Sequence, residues 1–128
     1  MKYLLDTHTL LWITREDDQL SPIAREIYLD QHHDIFISMA SLWEMSIKIS
    51  LGKLNVHMPL AEFVKFHVRG NQINILDIKL PHIEQIEILP LHHRDPFDRL
   101  IVTQAMVENM PILSRDSHFD LYPVKRVW

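Results

Sequence analysis

Short apolar runs alternate along the chain with longer segments that begin or end at helix-capping residues. Apolar runs of a few residues suit buried strands. They predict five strands, at Tyr3–Leu5, Ile35–Ile37, Asn71–Asp77, Pro111–Ser114 and Val124–Trp128. Ser21 is a favourable N-cap followed by a proline, and Gly52 and Gly70 suit left-handed C-caps. The predicted helices are Ser21–His32, Ala40–Leu51, Leu60–Arg69, Pro81–Ile88 and Asp95–Glu108.

This order of elements predicts an α/β fold. Strands separated by helices pair in parallel, because a parallel return needs a long connection, and such crossovers are right-handed. No segment has the composition of a linker, and no internal repeat is present. We expect one three-layer domain over residues 1–128, with a mostly parallel five-stranded sheet flanked by helices.

Composition narrows the possible chemistry. Of the 128 residues, 47% are hydrophobic and 23% are charged, which excludes disordered and collagen-like classes. Cysteine is absent, which excludes disulfides, thiolate metal sites and a cysteine nucleophile. The two glycines lie far apart, so no glycine-rich phosphate loop or nucleophile elbow is possible. Any catalysis must therefore come mainly from carboxylates, with a contribution from histidine.

Charge and hydropathy bear on partners and location. The net charge of −4 has the wrong sign for binding nucleic acid through bulk charge alone. The first apolar run stops at Asp6, so no signal-peptide segment is expected. No run approaches the roughly 18 apolar residues of a membrane helix. We expect a cytoplasmic protein with no membrane partner.

Four acidic residues fall near strand ends or helix starts. Asp6 ends the first apolar run, and Glu44 lies early in the helix that follows the second. Asp98 precedes the fourth predicted strand by one helix, and Asp116 follows that strand directly. Ligand sites of parallel sheets form at the carboxyl ends of strands, so these acids are expected to converge on one crevice.

Structural roles are possible for the same acids. Asp95 suits an N-cap, which places Asp98 where the helix dipole favours an acid. Asp116 suits the start of a turn, whereas Asp6 has no capping role as obvious.

Glu44 has two structural interpretations of its own. Ser41 and Glu44 have capping-box spacing. Their helix is apolar nearly all round, so a carboxylate there needs a metal or a partner, and Lys48 at i+4 can be that partner.

Four stretches together resemble the PIN-domain nucleases, and among them the VapC-type toxins of toxin–antitoxin pairs. They are Leu4–Trp12, Ser41–Leu54, His92–Ile101 and Leu113–Phe119. They occur in the family's order and span nearly the whole chain. The second and third stretches are specific, whereas the first and last are weak alone.

The resemblance implies a metal-dependent endoribonuclease. Asp6, Glu44, Asp98 and Asp116 match the family's acidic quartet, with Ser114 as a supporting hydroxyl. It implies Mg²⁺ or Mn²⁺ bound directly by Asp6 and Asp98, while Glu44 and Asp116 hold coordinated waters or a second ion. RNA would be hydrolysed by a water molecule that the metal activates, leaving a 5′-phosphate.

The family subgroup carries Asp95 as an additional supporting acid. RNA docking falls to the local basic residues beside the motifs, which are Lys48, Lys53, Arg94, Arg99 and Arg115. Lys48 and Arg99 are the chief candidates, although a helix-surface ion pair is an equal alternative for Arg99. Three histidines are weaker candidates for RNA contact or proton transfer: His8, His92 and His93. Trp12 and Trp43 are more typical of core or interface residues than of base-stacking platforms.

The family also implies partners. VapC-type toxins form homodimers and are blocked by an antitoxin, which commonly places a basic side chain in the acid pocket. The apolar helices predicted at Ala40–Leu51 and Leu60–Arg69 suit an antitoxin helix.

Other functions remain open from the sequence. A haloacid-dehalogenase-like phosphohydrolase also places an aspartate after its first strand, but His8 stands where its signature needs a second one. A non-catalytic RNA-binding module on the same fold and a housekeeping RNA-processing nuclease are the remaining alternatives.

Overall fold

Five parallel strands form a single sheet in the computed structural model, which describes all 128 residues. The strands are β1 (Lys2–Leu5), β2 (Asp34–Ser38), β3 (Asn74–Leu76), β4 (Ile112–Leu113) and β5 (Arg126–Val127). Their spatial order is β3-β2-β1-β4-β5, with every neighbouring pair parallel. The predicted parallel α/β sheet is confirmed.

Six α-helices connect these strands. They are α1 (Thr7–Arg15), α2 (Pro22–Leu29), α3 (Met39–Ser50), α4 (Leu60–Phe63), α5 (Leu80–Ile88) and α6 (Pro96–Glu108). Segment α4 continues as a π-helical turn (Val64–Val68) and a 3₁₀ turn (Arg69–Asn71), and a further 3₁₀ helix spans Ser117–Leu121. None of the helices is both long and apolar enough to cross a membrane.

Helix starts agree with the sequence better than helix ends do. Ser21 and Asp95 are the N-caps of α2 and α6, as predicted. Gly52 has a left-handed φ of 70° after α3, also as predicted. The left-handed cap predicted at Gly70 is wrong. The chain continues past it through the π and 3₁₀ turns, so the left-handed residue is Gln72, with φ of 60°.

Side chains alternate in direction along each strand, so apolar side chains project from both faces of the sheet. Helices cover both of these faces. Leu5, Ile37 and Leu113 pack in one buried cluster with residues of α1 and α3. Leu4 and Ile112 point the other way and pack against α6. Both faces are therefore buried, as a parallel sheet requires, and the central strand β1 is buried from Tyr3 to Leu5.

The order of the strands reverses between β1 and β4. From β1 the chain moves outward through β2 and β3, and it returns by α6 to β4 on the opposite side of β1. Ligand sites in open parallel sheets lie at such a switch point, outside the carboxyl ends of the strands. Asp6 and Ser114 directly follow these two strands, so the topology brings them together.

A buried polar network secures α6 to the sheet beside this point. The side chain of Gln104, fully buried on α6, accepts a hydrogen bond from Ser38 Oγ and donates one to the Asp77 carbonyl at 3.3 Å. Ser38 Oγ also accepts from the Ala40 N–H and so caps α3. One glutamine therefore links α6 to the ends of β2 and β3.

We predict that Gln104→Leu lowers the free energy of unfolding by about 1–3 kcal/mol, because it leaves the buried Ser38 hydroxyl without an acceptor and removes the donor to the Asp77 carbonyl. Chemical denaturation measures this change. Gln31→Leu, at an exposed position, is the matched control and should change stability by less than about 0.5 kcal/mol. Equal effects of the two substitutions would contradict the role given to the network.

Candidate active site

Asp6 directly follows β1 and caps α1. Its Oδ1 accepts hydrogen bonds from Thr9 N–H (2.9 Å) and Thr9 Oγ1 (2.5 Å), and its Oδ2 accepts one from Ser114 Oγ (2.5 Å). Burial raises the pKa of Asp6, although the hydrogen bonds from Ser114 and Thr9 favour its ionised form. Asp6 therefore does have a capping role, which the sequence reading missed because it did not predict α1.

Glu44 is buried on α3 and has two partners. Thr7 Oγ1 donates to its Oε1 at 2.7 Å, and Lys48 Nζ lies 2.9 Å from its Oε2. The predicted pairing with Lys48 is confirmed. The capping-box interpretation of Ser41 and Glu44 is wrong, because the helix begins one turn earlier, after its N-cap Ser38.

Asp98 lies in the first turn of α6, next to the N-cap Asp95. Asp95 Oδ1 accepts hydrogen bonds from the N–H groups of Phe97 (2.8 Å) and Asp98 (3.4 Å). Burial, and next the negative charge of Asp95, raises the pKa of Asp98 to about 7. The charges of Glu44 and Asp6 add to this rise. Three acids of the predicted quartet thus share one electrostatic environment.

Asp116 follows β4 and begins the 3₁₀ helix, in agreement with the predicted turn. Its Oδ1 accepts from His118 N–H (2.9 Å) and lies 2.8 Å from His118 Nδ1, while its Oδ2 lies 3.0 Å from His93 Nε2. Burial opposes ionisation, but the hydrogen bonds from His93 and His118 outweigh it and lower the pKa of Asp116. Its backbone N–H donates to Ser114 Oγ at 3.0 Å.

Ser114 therefore connects two acids, because its hydroxyl donates to Asp6 and accepts from the backbone of Asp116. Asp116 lines the same cleft as Asp6. His93, whose Nε2 lies 3.0 Å from Asp116 Oδ2, also opposes the rise in the pKa of Asp98, so this histidine lies near both acids.

The acid cluster has the donor chemistry of a divalent-cation site. Mg²⁺ and Mn²⁺ prefer carboxylate oxygens, and a cation would relieve the repulsion that raises the pKa of Asp98. No three acidic or histidine side chains are already arranged as a metal site. Mg²⁺ usually takes one or two carboxylates and keeps several waters. Asp6 and Asp98 fit that requirement.

The two basic residues predicted to bind nucleic acid have other contacts. The Lys48 ammonium pairs with Glu44, although 42% of its side chain stays exposed. The Arg99 guanidinium donates to four backbone carbonyls, those of Ile86, Leu89, Pro90 and His93. It thereby fastens the end of α5 and the loop after it to α6. This structural role is neither the phosphate contact nor the surface ion pair expected for Arg99.

A cleft of about 380 Å³ opens beside the acids. Besides Asp6 and Asp116 it is lined by His8, Trp12, Arg115, Ser117 and His118. Arg115 Nη1 donates to Gln19 Oε1 at 3.2 Å and makes no ion pair. The half-buried Trp12 contacts the ring of His8, with centroids 5.9 Å apart. A cationic and an aromatic side chain thus stand at the edge of an acidic crevice.

Several members of the site were not singled out from the sequence. Thr7 and Thr9 orient Glu44 and Asp6, and no sequence signal distinguishes them from other threonines. His93 was considered only for RNA contact or proton transfer. Its place two residues before Asp95, within the third resembling stretch, was the available signal.

We predict that, without metal, Asp98→Asn is more stable than the wild-type protein at pH 8 and that the difference shrinks toward pH 5. A raised pKa means that folding favours protonated Asp98. This contribution is complete below about pH 4 and is lost as pH rises through about 7. Melting temperatures measured in a chelator from pH 5 to 8 test this. Asp18→Asn, at an exposed position, is the control, and parallel curves for all three proteins would contradict the prediction.

Comparison with known proteins supports the same fold. The chain is similar to a chain of VapBC2 from Rickettsia felis bound to a promoter DNA fragment, with 17% identity and a TM-score of 0.75 over 100% of this chain and 99% of that chain. It is also similar to a chain of VapBC-1 from nontypeable Haemophilus influenzae, with 16% identity and a TM-score of 0.67 over 99% of this chain and 97% of that chain. DNA-bound VapBC from Salmonella typhimurium has a similar chain, with 18% identity and a TM-score of 0.67 over 99% of this chain and 97% of that chain. No curated protein sequence is significantly similar to this chain.

The sequence pattern of the PIN domain matches residues 3–125, which include all four acids and most of the sheet, up to the start of β5. This match favours a PIN domain over the phosphohydrolase alternative. The acids gathered at the switch point of the sheet agree with it. This chain belongs to the PIN-domain family.

Proposed function

We propose that this chain is a metal-dependent endoribonuclease and the toxin of a toxin–antitoxin pair. The observation that carries the proposal is the gathering of acids at the carboxyl ends of β1 and β4, where Asp6 and Asp116 line one cleft and Ser114 joins them. Burial and the charges of Asp95, Glu44 and Asp6 raise the pKa of the nearby Asp98 to about 7. Holding these carboxylates together lowers the free energy of unfolding, because burial and each neighbouring charge disfavour their ionised forms. A bound divalent cation would offset this cost.

Asp6 and Asp98 would hold Mg²⁺ or Mn²⁺, with Asp116 as a third ligand. When bound, such a cation stabilises negative charge on phosphoryl oxygens and makes water a stronger nucleophile at neutral pH. Thr9 and Ser114 hold both oxygens of Asp6, so that carboxylate needs little rearrangement to bind. This preorganisation is what lowers the barrier in sites that stabilise charge.

Glu44 is placed to accept hydrogen bonds from water or substrate in the crevice. Lys48 and Thr7 each occupy one of its oxygens and leave lone pairs on both. Water adds to phosphorus and the bond to the 3′ oxygen breaks, so the 2′-hydroxyl takes no part. The products would carry a 5′-phosphate and a 3′-hydroxyl.

RNA would enter along the cleft beside Asp6 and Asp116. Arg115 takes over the phosphate contact that we expected of Arg99, because its guanidinium makes no ion pair and lies at the cleft. Trp12 offers an apolar ring for a neighbouring base. Local groups of this kind are needed, since the net charge of −4 repels RNA.

A cognate antitoxin is the partner that the comparisons favour. The similar structures include the VapBC proteins named above and FitAcB from Neisseria gonorrhoeae, and VapBC from Salmonella typhimurium is bound to DNA. By analogy we propose that a small protein encoded beside this chain binds it and covers the acid crevice. A basic side chain of that protein would neutralise the carboxylates that otherwise attract a cation.

The exposed face of α3 supports a homodimer. Apolar side chains recur at every fourth position and are 38–61% exposed: Met39, Trp43 and Ile47 on the helix and Leu51 directly after it. A stripe of this kind on a helix is typical of a protein contact. We assign it to a second copy of the chain, because a stripe along one helix can pack against itself around a two-fold axis.

Cleavage of total cellular RNA by the purified, antitoxin-free protein tests the proposed function. We expect discrete cuts with 5′-phosphate ends in Mg²⁺ or Mn²⁺ and none in a chelator. Asp98→Asn should lower the rate at least about 100-fold, since it removes a charge that acts in the transition state. The control is Asp18→Asn, which should cut like the wild-type protein.

Each other outcome has a distinct meaning. Metal-dependent RNA binding without cleavage would favour the non-catalytic binding module. Cleavage that the protein encoded next door does not inhibit would favour a housekeeping processing nuclease. Equal inactivity of the wild-type protein and Asp98→Asn, with metal shown to be bound, would overturn the nuclease proposal.

The dimer has its own test. We predict that Ile47→Glu and Leu51→Glu each convert the homodimer to a monomer, because a buried unpaired carboxylate is costly at an apolar contact. Sedimentation or light scattering measures the mass. Leu91→Glu, at a leucine that is 73% exposed outside the stripe, should leave the dimer intact. A wild-type monomer, or dimers for all variants, would contradict the assignment.

A further inference from the structure

His93 lies between a tyrosine and an acid of the candidate site. Its ring is only 9% exposed. On one side, Nδ1 lies 3.1 Å from the hydroxyl of Tyr122, and on the other, Nε2 lies 3.0 Å from Asp116 Oδ2. The ring also stacks on Tyr122, with centroids 5.5 Å apart, and packs against Phe119 at 4.9 Å. Both nitrogens of this imidazole are therefore engaged, and two aromatic rings pack against it.

These contacts determine which nitrogen carries the proton. The Tyr122 hydroxyl accepts from the His93 backbone N–H at 2.8 Å, and its only acceptor in reach is His93 Nδ1. Tyr122 is 4% exposed, so an undonated hydroxyl there would be costly. An unprotonated Nε2 would place a lone pair against the carboxylate of Asp116. Only the neutral tautomer with the proton on Nε2 satisfies every group.

We propose that His93 is a positioning residue for Asp116, and that Tyr122 holds His93 in the tautomer that donates from Nε2. The proposal rests on the proposed function, because Asp116 is taken there as a ligand of the catalytic cation. It assigns a role to two side chains, on the α5–α6 loop and after the 3₁₀ helix, that touch neither cation nor substrate.

Asp116 needs such support more than Asp6 does. The Asp116 side chain is 37% exposed, and it begins a short 3₁₀ helix at the edge of the cleft. Its Oδ1 is held by His118, which is itself 66% exposed. His93 holds Oδ2 from the buried side, so it restricts rotation of the carboxylate and leaves its outer lone pairs free.

The loop that carries His93 is itself fastened. Arg99 Nη1 donates to the His93 carbonyl at 3.4 Å, and the same guanidinium holds the end of α5. The hydrogen bonds of Asp116 with Ser114 then connect the network to Asp6. Groups of this kind, one step removed from a metal, typically change metal affinity or activity by about 10–100-fold when they are removed.

Nitrogen NMR of the full chain tests the tautomer directly. With ¹⁵N-labelled histidine at pH 7.5 and no metal, we expect the pattern of a neutral ring protonated on Nε2 for His93. In Tyr122→Phe the tautomer protonated on Nδ1 should become populated, because the hydroxyl that donates to an unprotonated Nδ1 is gone. A wild-type ring protonated on Nδ1 would overturn the proposal.

Binding of Mn²⁺, followed by calorimetry, tests the positioning role without relying on cleavage. We expect His93→Phe to weaken binding about 10-fold, and His93→Gln to restore most of it, because the glutamine amide can donate from the place of Nε2. His32→Phe, at a side chain that is 94% exposed, is the control. Melting temperatures show whether each variant folds, and His93→Gln keeps the test valid if His93→Phe does not.

A double-mutant comparison separates positioning from a general effect. In an Asp116→Asn background, His93→Phe should weaken Mn²⁺ binding less than about 2-fold further, since the group it positions is gone. The same 10-fold loss in both backgrounds would overturn the proposal. Normal behaviour of the Mn²⁺ series with no RNA cleavage would instead contradict the proposed function and leave the positioning role standing.

Discussion

The hydrogen bond from Ser114 Oγ to Asp6 Oδ2 joins the carboxyl ends of β1 and β4, and the site depends on it. The two residues are far apart in sequence but adjacent in the sheet, because β4 pairs with β1 in parallel register. The same hydroxyl accepts the Asp116 N–H. One serine thus fixes the acid that ends the central strand and the turn that carries another acid.

Around this contact, the arrangement of acids that suits cation binding lowers the stability of the fold. Burial raises the pKa values of both Asp6 and Asp98, and neighbouring negative charges raise that of Asp98 further. The fold tolerates this because the surrounding elements are firmly connected. Gln104 links α6 to the sheet, and Arg99 fastens the end of α5. Stable packing elsewhere offsets the repulsion that a cation site requires.

The four acids of the quartet are held in different ways. Neutral donors hold Asp6, a hydroxyl and an ammonium hold Glu44, and two histidines hold Asp116. Asp98 receives no side-chain hydrogen bond, and burial and neighbouring negative charges raise its pKa to about 7. Similar residues thus acquire different properties from their surroundings, which is how carboxylates in one pocket take separate roles.

The sequence by itself determined the parallel α/β fold, the helix starts at Ser21 and Asp95, and the candidacy of the acids, because caps, short apolar runs and motif spacing are local properties. It did not predict α1, the end of the α4 segment beyond Gly70, or the backbone carbonyls to which Arg99 donates. Those depend on which groups meet after folding: the sheet brings Ser114 to Asp6, and the loop after α5 brings His93 to Asp116. Only the tertiary structure decided which polar groups are buried together, because hydrogen-bond partners and pKa values depend on neighbours distant in sequence.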